Sequence, residues 1–137
     1  MELFSNKWIN GLKDLWNKTP EVSDKLAEIN FDSTITCGFK DNEKPSCVFV
    51  VKNGKAISAG LYNGEEPDWD MRASRENWDK WAKKPLTMSS MGVAVAMGRL
   101  KFVKGDFASM IKNPSMAGPF VKSFALMSEL SSEAQMA

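Results

Sequence analysis

The chain contains no histidine. Ser-His-Asp and Cys-His nucleophile pairs, imidazole acid–base work and nearly all histidine-based metal sites are thereby excluded. Cysteine is scarce: Cys37 and Cys47 are the only two, too few for a disulfide framework and in keeping with a reducing, cytoplasmic setting. Net charge is nearly absent, 18 basic residues against 17 acidic ones leaving +1, so no field gathers nucleic acid. Long hydrophobic runs are missing as well. The opening MELFSNKWINGLKDLW scatters acid and base, and reads as neither a signal peptide nor a membrane span. The closing Ala134-Gln135-Met136-Ala137 is not a peroxisomal address of the Ser-Lys-Leu type. Phosphate loops of the Gly-Lys-Ser/Thr and Gly-x-Gly-x-x-Gly kinds do not occur. Without repeats or a Pro/Gly/Ser-rich linker, residues 1–137 read as one domain. Helices are expected within 1–30, a sheet with inserted helices over 33–105, and further helices over 107–132.

What is present is apolar and soft. Hydrophobic residues make up 43% of the chain and nine are methionine. Methionine suits a cavity wall that adapts to guests of varied shape, or equally an irregular dense core; composition does not separate the two. From Leu3 to Asn17, Phe4, Trp8, Leu12, Leu15 and Trp16 fall at helical spacing. Thr19 as N-cap and Pro20 at the first position predict a second helix through Ile29, with Val22, Leu26 and Ile29 as its stripe. Both helices are expected to roof the core. In the competing reading, Phe4, Trp8 and Trp16 touch a bilayer transiently, although Lys7, Lys13, Asp14 and Lys18 make a less basic face than interfacial helices show.

Strand patterning begins at Ser33. Thr34 to Phe39 alternates, Lys40 to Pro45 is a polar turn, and Ser46 to Val51 is β-branched and aromatic. Asn53-Gly54 then signals a two-residue hairpin, which predicts Val51 opposite Ala56, Phe49 opposite Ser58 and Cys47 opposite Gly60. With Cys37 opposite Cys47, the residues Ile35, Cys37, Phe39, Phe49 and Val51 share one inward face. Val48, Val50 and Ile57 leave the other face unusually apolar, to be covered or used for self-association. Trp69, Met71 and Ala73 alternate with Asp70 and Arg72. Ser74 caps a helix carrying Trp78 and Trp81. The run Met88 to Met97 is apolar on every side and predicts a buried helix ended by Gly98. Asp106 caps a short helix to Lys112, and a last helix is expected from near Pro119.

Three segments together resemble the sterol carrier protein (nonspecific lipid-transfer) domain family. They are the closing Gly98-Arg99-Leu100-Lys101-Phe102-Val103-Lys104-Gly105-Asp106, the turn Lys52-Asn53-Gly54-Lys55, and Trp78 at the family's aromatic helix position. The likeness covers most of Phe31 to Leu130. It implies an α+β fold: a five-stranded, mixed or largely antiparallel sheet, helices packed on one face, and an apolar tunnel between. It implies binding of a sterol, fatty acyl chain, acyl-CoA or phospholipid without turnover and without a cofactor or metal. Each methylene removed from water is worth about 0.8 kcal/mol, so an apolar sleeve is enough for useful affinity. The expected lining is Phe39, Phe49, Val51, Met71, Trp78, Met91, Val95, Phe102, Met110, Phe120, Phe124 and Met127. Phe120, Phe124 and Met127 share one helix face, a candidate lid.

Other roles compete residue by residue. Cys37 lacks the basic neighbour that makes a thiol reactive. Glu65, Glu66, Asp68 and Asp70 do not have the spacing of a calcium loop or a carboxylate pair for sugar chemistry. Arg99, Lys101 and Lys104 face solvent on an edge strand or greet an anionic headgroup at the cavity mouth. Two alternatives stand beside the carrier. One is an interaction or homodimerisation module with a collapsed pocket. The other is an accessory subunit, or small enzyme, for hydrophobic substrates, with Asp70, Arg72, Lys101 and Tyr62 as the available polar groups.

Overall fold

The computed structural model describes residues 2–136, with side chains through residue 131; the side chains of the Ala134 to Ala137 terminus lie outside the described residues. Five strands, β1 (Ser33–Phe39), β2 (Cys47–Lys52), β3 (Lys55–Leu61), β4 (Trp69–Ala73) and β5 (Lys101–Lys104), form one sheet in the order β3-β2-β1-β4-β5. β1 and β4 run parallel and the other pairs antiparallel, so the sheet is mixed. The helices are α1 (Asn6–Lys18), α2 (Ser23–Ala27), α3 (Arg75–Lys83), α4 (Met88–Ala96), α5 (Phe107–Ile111) and α6 (Pro114–Met136).

The turn Asn53-Gly54 takes the two positive φ angles, 50° and 82°, that its sequence predicts. A Cβ on Gly54 would collide with the Ala27 backbone N, so this hairpin tip is also where α2 docks. Cys37 pairs with Cys47 as expected, but the β2–β3 register departs from the simple hairpin. Val51 faces Ala56; a bulge then places Phe49 against Ala59 and Cys47 against Leu61. The bulge leaves Ile57 as the extra residue, 56% exposed, while Val48 is buried and Val50 half-buried. The apolar outer face is therefore largely covered.

α1 lies across the edge strand β3 and is tied to it by side chains. Asn17 accepts from the N–H of Ala56 and donates to its carbonyl, both at 2.9 Å, while Asn10 donates to the Ala59 carbonyl at 3.2 Å. Two turns apart on one helix face, the two asparagines satisfy backbone groups of an edge strand. Trp16 donates its indole N–H to the Gly54 carbonyl at 2.9 Å. Phe4, Trp8 and Trp16 are all buried, at 3%, 2% and 5% exposure. They are not available to touch a bilayer.

Three further expectations need correction. Thr19 does not cap the second helix: its hydroxyl donates back to the Leu15 carbonyl, closing α1, and α2 starts at Ser23. The last helix starts at Pro114, not Pro119, because Asn113 supplies the cap by accepting from the Ser115 N–H; Pro119 sits inside the helix. α4 is not buried all round. Met91 and Ala94 face the core, while Met88, Val93 and Met97 are 45%, 56% and 64% exposed. The other caps hold: Ser74 accepts from the Asn77 N–H, Asp106 from that of Ser109, and Gly98 follows α4 with φ 74°.

Candidate functional site

The inner face of the sheet presents Ile35, Cys37, Phe39, Phe49, Val51, Trp69, Met71 and Phe102, in register across four strands. α1, α3 and α6 close over it. Between the layers runs a connected series of aromatic rings. Trp69 meets Phe102 (5.9 Å between ring centres), Phe102 meets Phe120 (6.0 Å), and Phe120 meets Phe124 (5.5 Å). Phe124 stacks on Trp78 (6.2 Å, 10° between planes), Trp78 meets Phe4 (5.1 Å), and Phe4 meets Trp8 (5.4 Å). Phe4 holds a left-handed backbone, φ 63°, which a bulky residue adopts only when its packing compels it.

Two hollows lie along this series. The outer one, about 30 Å³, is lined by Trp16, Leu26, Phe31, Ile35, Trp69, Met110, Met116 and Phe120. The inner one, about 10 Å³, lies among Leu3, Trp8, Trp78, Trp81, Ala82, Phe124, Met127 and Ser131. No lining residue of either is ionisable. Small-molecule sites run to about 300–1,000 Å³; both hollows are far smaller, so among the described residues side chains fill this seam and do not show the open tunnel expected between the layers. Two larger surface clefts are lined by charge. One, of about 490 Å³, includes Glu21, Lys25, Glu28 and Lys122. The other, of about 510 Å³, includes Lys80, Lys84 and Arg99, and shares Trp81 with the inner hollow.

Of the twelve expected lining residues, Met110 and Phe120 reach the outer hollow, and Trp78, Phe124 and Met127 the inner one. Phe49, Val51, Met71 and Met91 are buried in the adjoining core; Phe39, Val95 and Phe102 pack against it half-buried. Phe124 is 1% exposed and packs against both Trp78 and Trp81. Half-buried Phe120 stays at the surface of the seam. Sequence reasoning missed Trp16, Leu26, Phe31, Ile35, Trp69 and Met116 as lining of the outer hollow, and Leu3, Trp8, Trp81, Ala82 and Ser131 as lining of the inner one. Trp69 was legible, since it alternates in phase with Met71.

The polar groups considered for chemistry face elsewhere. Asp70 and Arg72 lie on the opposite face of the sheet, both 5% exposed, paired at 2.7 Å. Arg72 also donates to the carbonyls of Phe39 (3.3 Å) and Asn42 (2.7 Å), pinning the β1–β2 loop over that face. Lys101 is exposed, and Lys104 pairs with Glu66. Asp68 accepts from the Thr34 N–H at 2.8 Å. The Cys47 thiol is pushed well above its usual range by its hydrogen bonding to Cys37 and by burial, which keeps it protonated and inert. Among the described residues no three His, Cys, Asp or Glu side chains gather as a metal site.

No family model and no curated protein matches this sequence. Solved structures do match its fold. A sterol carrier protein 2 crystal structure superposes with a TM-score of 0.71 at 18% identity, covering 93% of this chain and 98% of its own. A conserved hypothetical protein from Thermus thermophilus, suggested to be a sterol carrier protein, gives 0.62 at 19% identity, covering 97% and 90%. A ubiquinone synthesis protein, UbiJ-SCP2, gives 0.54 at 13% identity, covering 87% and 89%. The five-stranded mixed sheet with its helical cover is the sterol carrier protein 2 fold.

Proposed function

We propose that this protein is a non-catalytic carrier that holds one largely apolar molecule, such as a sterol, fatty acyl chain, acyl-CoA or phospholipid, in the seam between sheet and helices. The observation that carries the reading is the uncharged seam of aromatic and methionine side chains with a hollow at each end, on a fold shared with sterol carrier protein 2. The guest has to part side chains already in contact. Met110, Met116 and Phe120 line the outer hollow; methionine re-packs at low cost, and Phe120 is half-buried. Burying roughly ten methylenes supplies about 8 kcal/mol gross, a micromolar affinity before the cost of opening. The protein then works by solubilising and releasing its guest, with no bond made or broken, in the cytoplasm.

Native mass spectrometry of protein purified from its own cells tests this, together with titration of a fluorescent long-chain ester. A co-purifying lipid and saturable one-to-one binding support it; a bare mass and no binding count against it. A second reading is an accessory module presenting hydrophobic substrates to a catabolic or biosynthetic enzyme. The exposed apolar side of α4, Met88, Val93 and Met97, favours it as a contact surface for such an enzyme.

A further inference from the structure

One buried polar group in the seam has no partner. Indole N–H groups of buried tryptophans normally find an acceptor, and here those of Trp16 and Trp78 do, on the carbonyls of Gly54 (2.9 Å) and Gly38 (3.0 Å). The Trp8 Nε1–H, on a side chain 2% exposed, has none among the described residues. Leaving such a donor dry is costly. Trp8 lines the inner hollow, whose volume of about 10 Å³ matches a single oxygen atom or water.

We infer that the Trp8 indole N–H is a ligand-binding group that donates to a neutral oxygen of the guest and sets which way round the guest lies. This deepens the carrier reading and rests on it. The two hollows differ in a way that orients an amphiphile. The outer hollow, around Met110, Met116 and Phe120, offers only an apolar wall and suits a chain end. The inner hollow is lined by Trp8, which carries the free donor, and by half-buried Leu3, Ala82 and Ser131. A chain running along the aromatic series thus places its oxygen at Trp8 and its methyl end toward Met110. No cation lines the inner hollow, so a carboxylate there would be buried without a counter-charge, which is strongly unfavourable. The recognised class is therefore an ester, thioester or ketone carbonyl, or a hydroxyl, on a long apolar body; a free fatty acid anion is a poor fit.

The test compares methyl palmitate, palmitate and hexadecane at neutral pH, titrated into the wild-type protein and into Trp8→Phe, with the Trp8 indole N–H followed by NMR. Methyl palmitate should bind the wild type about five- to tenfold more tightly than hexadecane, the worth of one hydrogen bond, and more tightly than palmitate. Its arrival should shift the Trp8 indole proton downfield. In Trp8→Phe the ester's advantage over hexadecane should vanish. If the wild type binds ester and alkane equally and the Trp8 signal does not move, the donor serves an internal water and the inference fails, while the carrier reading survives on the alkane result. If none of the three binds, both fail. The wild-type comparison decides the matter even if Trp8→Phe does not fold.

Discussion

The rings of Phe120 and Phe124 stand 5.5 Å apart, edge to face, and Phe120 lines the outer hollow while Phe124 lines the inner one. They are one helical turn apart on α6, and the two hollows share no lining residue. Truncating Phe120 to alanine should enlarge the outer hollow. Being half-buried, it should cost less than the ~3–5 kcal/mol of a fully buried phenylalanine. A bulky fluorescent sterol should then bind several-fold more tightly than to the wild type, while urea unfolding registers the smaller stability loss. Phe124→Asp should instead unfold the protein, because it places a carboxylate between Trp78 and Trp81.

Gly105 and Trp69 are locked together: a Cβ on Gly105 would fall into the Trp69 ring, and Gly105 has φ 107°. The closing glycine of the Gly98 to Asp106 segment thus exists to let a seam-lining tryptophan lie flat. Gly105→Ala should lower the thermal midpoint by several degrees and displace Trp69, visible as a change in near-ultraviolet circular dichroism. Retention of the wild-type spectrum would show that the strand end yields elsewhere.

The Asp70–Arg72 pair is structural, and mutation separates that from chemistry. Arg72→Met leaves a buried carboxylate unpaired and the carbonyls of Phe39, Asn42 and Glu43 without their donor, for a loss of about 3–5 kcal/mol. Replacing Asp70 by leucine in the same variant should recover much of it. Lipid affinity at a temperature where all variants are folded should not change, because both residues face away from the seam.

The two thiols give a chemical probe of the fold. Cys37 and Cys47 are 4% and 1% exposed on neighbouring strands, and Cys47 is held protonated by its contact with Cys37 and by burial. Ellman's reagent should react at mildly alkaline pH only as fast as the protein opens, and stoichiometrically in denaturant. Rapid reaction of the native protein would mean that the β1–β2 hairpin is open.

Asp106 supplies the acid limb. Its carboxylate accepts from the Ser109 hydroxyl and then from the Ser109 N–H, which holds its pKa below the usual carboxylate range. Because the folded pKa is the lower one, the cap's contribution is complete above the ordinary carboxylate pKa and is lost as pH falls through the depressed value. Asp106→Ala should therefore destabilise α5 at neutral pH and have progressively less effect in strong acid, as followed by unfolding at a series of pH values.

Local signals carried much of this fold. Asn53-Gly54, Ser74, Gly98 and Asp106 each dictate a turn or cap by backbone chemistry alone, and the structure places all four as read. Alternation in Thr34 to Phe39 and Trp69 to Ala73 placed the inner face. The bulge at Ile57 was not legible, since apolar residues at 56, 57 and 59 satisfy either register. Pro114 and Pro119 both offer a helix start, and only the Asn113 cap selects the first. The exposure of Met88, Val93 and Met97 depends on what packs against α4, which composition cannot specify. The seam's lining was only partly legible for the same reason: the short α5 brings Met110 to Trp69 through tertiary packing.

The central claim is that the seam parts to admit a guest, and methionine methyl groups report on it directly. With methyl-labelled methionine and an unlabelled long-chain ester, intermolecular nuclear Overhauser contacts should appear at Met110, Met116 and Met127, beside the hollows. Contacts confined to the exposed Met88 and Met97 of α4 would contradict it, placing the working surface outside the molecule and leaving its interior a closed core.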